Sequence, residues 1–326
     1  MHPAFSVVFL TTLIGAGQGL FLALYTAQTY AAVGVLPPQE PHFYVLGSVI
    51  SLALLAGGLL ASFFHLGHPE RAWRSAARWR TSWLSREVIV LPMMMGLVFL
   101  FGLAHYLNLD LRRFGVHSGV PGDLTLLIGT AGAITAFGLF LCTAMIYACI
   151  KFLQEWASPL TVINYTLLGG ASGFTLATAF AAAGAAPDLS GFFGGWAIGL
   201  TALAAMTRGA SLIRNARIKH RSTLQSAIGV RHSRIRQTSQ GLMGGSFNTR
   251  EFFHGVPVWA FRSIKWVFLV LVFPVPVALL AAGLSAHTPW LFAAAFVVQY
   301  AGLLAERWYF FAQSNHPQNL YYQVVS

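Results

Sequence analysis

Polar residues along this chain gather between long apolar runs. The runs lie at 5–33, 43–65, 87–107, 123–150, 159–184, 190–213, 261–283 and 288–312. Crossing about 30 Å of hydrocarbon takes roughly 20 residues of helix, and every run reaches that length. The pattern predicts an all-α polytopic membrane protein: eight transmembrane helices in a single integral membrane domain over 1–326. Between the runs, VLPPQEPH, SGVPGD and AAPDLSG read as tight turns. The stretch from about 214 to 260 is polar and basic and cannot be a span.

Composition agrees. Only 9% of the residues are Asp, Glu, Lys or Arg, against about a quarter in a soluble domain. Mean hydropathy is +0.64. Residues 3 to 38 carry no charged side chain. No basic region precedes the first run and no small-residue cleavage site follows a short apolar core, so the first span is expected to be retained.

The net charge of +11 raises nucleic acid as a partner, but the basic residues sit in loops between spans and no recognition fold is present. Their distribution reports orientation instead. With eight spans, both termini share a side with loops 2–3, 4–5 and 6–7. That side receives 18 of the 20 Lys and Arg: Arg71, Arg74, Arg78, Arg80, Arg86, Lys151, the series from Arg208 to Lys265, and Arg307. The other side keeps Arg112 and Arg113. The positive-inside rule puts both termini in the cytoplasm, in a bacterial inner membrane. The two cysteines, Cys142 and Cys149, are two helical turns apart, roughly 10 Å, too far for a disulfide. They are too few for an iron–sulfur cluster, and no metal site is expected in this chain.

Residues 62–88, SFFHLGHPERAWRSAARWRTSWLSREV, break the general poverty in charge. Two acids, five arginines and two histidines lie there between two spans. His65 belongs near the end of span 2 and Glu87 near the start of span 3, on the same side and at similar depth. Ionisable groups at a membrane edge point to function. A quinone headgroup would use such a pair: imidazole donates to a carbonyl oxygen and titrates near neutral pH, a poorly solvated carboxyl exchanges a proton, and a shallow site admits a lipid-soluble tail. Structural roles are open beside this one. His65 could bond a backbone carbonyl, and Glu87 could answer the helix dipole or pair with Arg86 or Arg71; either cation could also tune a catalytic carboxylate. Ser85 reads as a plausible N-cap. The Arg and Trp residues of 66–86 suit a headgroup belt or a docking surface. The loop 214–260 is either a basic tether or a platform for a cytoplasmic protein. Phe247, Phe252 and Phe253 beside Arg250 favour the platform.

HLGHPERAW followed by WLSREV resembles the signature of the membrane-anchor subunit of dimethyl sulfoxide reductase and its relatives. The matching residues are His65, Leu66, Gly67, Pro69, Arg71 and Ala72, then Leu84, Ser85 and Glu87, and the eight-span layout extends the likeness over most of the chain. The resemblance implies a complex of three subunits. A molybdopterin subunit binds substrate, and an iron–sulfur subunit with four clusters transfers electrons. The anchor exchanges them with ubiquinone or menaquinone while holding no haem or cluster. The resemblance also implies a quinone site at His65 and Glu87, Arg71 in support, and docking of the iron–sulfur subunit on 66–86 and 214–260. The opening HPAFSVVFLTTLIGAGQG and the segment GGSFNTREFFHG look more like anchors of cytoplasmic sulfite-oxidising relatives, implying electron flow from sulfite to quinone. The alternative within the family is a quinol-oxidising anchor of a dimethyl sulfoxide or related S- or N-oxide reductase.

Other classes compete. A haem anchor needs opposed histidines inside the bundle, and all 11 fall near span ends or in loops. A transporter would use polar groups at mid-membrane, for which Gln18, Gln28, Asn164 and Gln299 are candidates, although no charge stands near the centre of a span. Gly15, Gly19 and Ala23, and likewise Gly129 and Gly132, suit close helix packing. Pro274 and Pro276 predict a kink in span 7. A purely structural anchor without chemistry is the remaining reading.

Overall fold

The computed structural model describes residues 4–109, 124–219, 223–235 and 258–314. Among them every regular element is helical and eight spans are long and apolar enough to cross a membrane. The elements are α1 (Phe5–Ala32), α2 (Pro41–Phe63), a surface 3₁₀ segment (Pro69–Arg78), α3 (Trp83–Tyr106), α4 (Leu124–Ala148), α5 (Pro159–Phe180), α6 (Ser190–Ala216), a short α7 (Leu224–Ile228), α8 (Val258–Val272), α9 (Pro274–Ala286) and α10 (Pro289–Ala312). Helices α8 and α9 together form the seventh span.

Proline opens α2, α5, α9 and α10 within the first two positions. Its missing N–H has no intrahelical partner there in any case, so nothing is lost. At α3 the helix begins earlier than expected. Ser82, in an extended conformation, is the N-cap and accepts from the Ser85 amide at 3.4 Å. Ser85 is not the cap: its hydroxyl donates to the Ser75 carbonyl and ties α3 to the 3₁₀ segment.

Helix α1 is the hub, packing on α2, α4, α5 and α10. Small residues make its approach to α5 possible. A Cβ on Gly19 would stand 2.2 Å from the Gly169 carbonyl oxygen, and one on Gly173 would stand 2.0 Å from the Gly19 carbonyl carbon. The expected packing role of Gly15 and Gly19 is thus a backbone-to-backbone crossing with Gly169 and Gly173. Gly129 and Gly132 make room instead for Tyr25 and Phe21 of α1.

The seventh span breaks at Phe273, between Val272 and Pro274. Pro276 has no N–H for the carbonyl of Val272, four residues earlier. Gln299 of α10 supplies the missing donor at 3.3 Å and also bonds Thr201 at 3.1 Å. Asn164 likewise accepts from Thr207 at 2.8 Å, and Gln28 donates to Thr125 at 2.6 Å. Three of the four mid-span polar groups therefore bridge helices. The fourth, Gln18, behaves differently.

Candidate functional site

Spans alternate in direction, so one end of the bundle collects the end of α2, the start of α3, the end of α4, the start of α5 and the ends of α6 and α10. Glu87 lies there, one turn inside α3. Only 6% of its surface is exposed. One carboxylate oxygen accepts a short hydrogen bond, 2.5 Å, from the Thr143 hydroxyl of α4. The sequence placed Glu87 well but offered no sign of this partner, since a threonine inside a span looks like any other.

His65 follows the last turn of α2, its amide 3.4 Å from the Ser62 carbonyl oxygen. Its imidazole is exposed and shares no hydrogen bond or ion pair with Glu87 among the described residues. The buried part of the ring lowers its pKa below the ordinary histidine value. Apolar side chains stand exposed around this corner: Phe64, Leu66 and Leu84.

Arg71 is exposed on the 3₁₀ segment, 3.7 Å from Glu70. Arg86 turns away from its neighbour Glu87. Its guanidinium donates to the carbonyls of Trp79 and Arg80, both at 2.9 Å, and lies 4.1 Å over the Trp83 ring. Arg74 over Trp73 and Arg80 over Trp79 repeat the pairing. The 66–86 loop is thus a run of stacked Arg–Trp pairs with no buried residue in its 3₁₀ part, chemistry suited to a headgroup region.

Of the long basic loop, 214–219 and 223–235 are described. They contain α7, capped by Thr223 with Ser226 in a reciprocal box and ended by Gly229 at φ 77°. Residues 223–235 are exposed or half-buried. Phe247, Arg250, Phe252 and Phe253 lie outside the described residues, as do Arg112 and Arg113.

The same end of the bundle holds a feature that the pattern along the chain does not show. Arg208 is not a loop residue: it sits inside α6, two turns before its end, and is 1% exposed. Its Nε lies 2.7 Å from Glu306 of α10, also 1% exposed. The other Glu306 oxygen is 3.4 Å from Nε of the adjacent Arg307. The Arg307 guanidinium lies 3.6 Å over the ring of Tyr165 on α5. Phe310 stands 5.7 Å from the same guanidinium, and Tyr147, Trp156, Tyr165, Phe310 and Phe311 pack on one another beside it. Glu306 followed by Arg307 near a span end reads as an ordinary interfacial pair, so no signal along the chain announces the triad.

Thr143 and Arg307 both line a cavity of about 20 Å³, also bordered by Thr12, Gln18, Tyr165 and Ser172. At the opposite end of the bundle, a wider pocket of about 290 Å³ is bordered by Gln28, Tyr44, His105 and Thr125. There His105 stacks on Tyr44 at 4.2 Å. Among the described residues no group of three or more His, Cys, Asp or Glu is placed to hold a metal ion.

Comparison with known proteins agrees with this architecture. Residues 1–312 match the family described as DMSO reductase anchor subunit (DmsC). The chain is 57% identical, over all 326 residues and the whole of both chains, to a protein of Allochromatium vinosum that is named as a subunit of sulfite dehydrogenase. No solved structure matches. With its eight spans and a family match over nearly its full length, the chain belongs to the DMSO reductase anchor subunit (DmsC) family.

Proposed function

We propose that this chain is the quinone-reactive membrane anchor of a molybdopterin and iron–sulfur complex that oxidises sulfite and delivers the electrons to the quinone pool. The substrate assignment draws on the 57% identity to the sulfite dehydrogenase relative, the anchor role on the family. The observation that carries the chemistry is Glu87: a shielded carboxyl with a single hydroxyl donor, beside a lipid-facing corner and under an Arg–Trp surface.

The residues fit a quinone headgroup. Phe64, Leu66 and Leu84 offer an apolar approach from lipid, and His65 and Glu87 stand at the same end of adjacent helices. Bound there, quinone supplies a two-electron, two-proton acceptor. The neutral His65 ring donates an N–H to one carbonyl oxygen. Glu87 delivers a proton to the reduced oxygen and is left as a carboxylate held by Thr143. Arg71 and Arg86 keep the adjoining surface positive. Electrons arrive from the iron–sulfur subunit, which docks on 66–86 and 214–260 at the cytoplasmic face, with the molybdopterin subunit beyond it.

Affinity purification from gently solubilised membranes, with molybdenum and iron analysis, tests the assembly. Two co-purifying subunits that bring molybdenum and iron are expected, and a solitary metal-free chain would overturn the reading. Glu87→Gln tests the chemistry: the assembled complex is expected to lose sulfite-dependent quinone reduction while retaining sulfite-dependent reduction of a soluble electron acceptor. Wild-type quinone turnover in that variant would leave a structural anchor.

A further inference from the structure

Glu87 and the Arg208–Glu306–Arg307 triad share no direct contact, yet the cavity of about 20 Å³ links them. Thr143, the donor to Glu87, and Arg307 both line it. A water molecule needs roughly 10–15 Å³ of such space and two to four polar partners. Those partners are present. The Gln18 and Tyr165 side chains both border the cavity. The Gln18 side-chain oxygen and the Tyr165 hydroxyl are buried and have no hydrogen-bond partner, on residues 1% and 4% exposed. Arg307 lies 3.6 Å over the face of Tyr165. Thr143 donates to Glu87 and so keeps a lone pair free to accept.

We propose that this cavity holds one ordered water, and that through it Arg307 and Tyr165 are positioning residues for the proton-exchanging state of Glu87. The inference rests on the quinone-site role of Glu87 proposed above. Three physical arguments carry it. First, a buried polar atom without a partner is costly, and one water satisfies Gln18, Tyr165 and Thr143 together. Second, the triad carries two positive charges and one negative, an excess of one cation in the bundle interior. An ionised Glu87 is the anion across the cavity that balances it. Third, the path is continuous: the water donates to the Thr143 oxygen while the Thr143 hydroxyl donates to Glu87. The orientation of the Thr143 hydroxyl toward Glu87 is thus fixed from the Gln18 and Tyr165 side of the cavity, with no net transfer of a proton along the line. Thr143 of α4 is bonded to Glu87, Tyr147 of α4 and Tyr165 of α5 lie within electrostatic reach of both Glu87 and Arg307, Tyr165 also of Glu306, and Cys142 of Glu87 and Arg86. Of the charged groups named, Arg307 is the one that borders the cavity.

The test measures the pH profile of sulfite-dependent quinone reduction by the intact complex carrying Arg307→Gln, Arg307→Lys, Tyr165→Phe or Glu87→Gln. Removing the Arg307 charge should move the alkaline limb toward higher pH by on the order of one unit, because the carboxylate left when Glu87 gives up its proton loses its compensating cation. Arg307→Lys should restore most of the shift. Tyr165→Phe, which keeps the ring under Arg307 but removes a partner of the water, should lower turnover several-fold and alter the solvent isotope effect. A purely structural role would change the amount of complex and leave profile and isotope effect alone. If Arg307→Gln does not assemble, Tyr165→Phe decides by itself. Wild-type profiles in these variants with an inactive Glu87→Gln overturn this inference only. An active Glu87→Gln overturns the quinone-site role beneath it.

Discussion

Replacing Gly173 by alanine adds one methyl group where two backbones touch. Its Cβ would lie 2.0 Å from the Gly19 carbonyl carbon, 2.2 Å from the Leu20 nitrogen and 2.3 Å from the Gly19 Cα. No flexible side chain stands there to swing aside. Ordinary contact begins near 3.4 Å, so α1 and α5 must separate by about 1.4 Å. A gap of 0.5–1 Å already forfeits a quarter to a half of each dispersion contact along a helix interface, and overpacking in a tight core typically costs about 1–3 kcal/mol. We expect the upper part of that range or loss of assembly, because α1 is the hub and the Gln18 cavity sits beside this crossing. Gly170 is the internal control. It lies on the same helix, yet a Cβ there meets only Leu200 Cδ1 at 3.7 Å. Gly170→Ala should therefore be neutral, or gain up to about 1 kcal/mol from helix propensity. The assay is the thermal midpoint of the detergent-solubilised complex, followed by size-exclusion chromatography at one fixed heating rate, since unfolding of such assemblies is irreversible. Equal midpoints for the two variants would refute the argument, because it predicts that two alanines three residues apart behave oppositely.

Other consequences follow from single contacts. Thr143→Val keeps the shape of the side chain but removes the donor to Glu87; a hydrogen bond to a charged group contributes about 1.5–3 kcal/mol, so quinone turnover by the assembled complex should fall roughly 10- to 100-fold. Glu306→Gln should harm assembly more than Arg208→Met, because the first leaves two buried cations together while the second keeps Glu306 with Arg307; breaking a buried pair costs about 3–5 kcal/mol, and the yield of intact complex checks the order. Gln299→Leu should lower the thermal midpoint by the equivalent of about 1–3 kcal/mol, since the Val272 carbonyl loses the donor that replaces its missing helical partner. For His65, burial lowers the pKa, so the uncharged ring, with one nitrogen able to accept, gives way to a doubly donating imidazolium only as pH falls through the lowered value. His65→Gln should keep part of the turnover and remove that acid dependence from the rate, whereas His65→Ala should keep neither.

The spans were legible because hydropathy does not depend on what a helix packs against. Each run is long enough by itself, and the described helices end within a few residues of the expected limits. Glu87 and His65 were legible for a related reason: charge is scarce in this chain, so its local excess stands out. The N-cap of α3 lies three residues before the serine that the sequence suggests, because Ser82 and Ser85 look alike until the chain direction at Trp83 is known. The partner of Glu87 was not legible. Thr143 lies far away in sequence and is one of many threonines in the spans. Nor was the triad: Arg208 resembles the basic residues that follow it, and Glu306 and Arg307 resemble a pair at a membrane edge. Gln18 and Gln299 look equivalent along the chain, yet one opens onto a cavity and the other repairs a helix break.

Length of apolar run and position of charge are properties of a segment, and they settle how many helices form and which belong to the membrane. A hydrogen bond, an ion pair or a cavity is a property of several segments at once. In lipid a buried polar group must find its partner inside the protein, and which partner it finds depends on how closely the helices approach. Here that distance is governed by the glycines of α1 and α5. Their crossing brings together Thr143, Tyr165, Arg307 and Glu87, which are separated in the chain by whole spans. The hydropathy of the chain made Glu87 a candidate; the packing of α4, α5 and α10 around α1 gives it a hydroxyl partner and sets a water-sized space, bordered by Arg307, behind that hydroxyl.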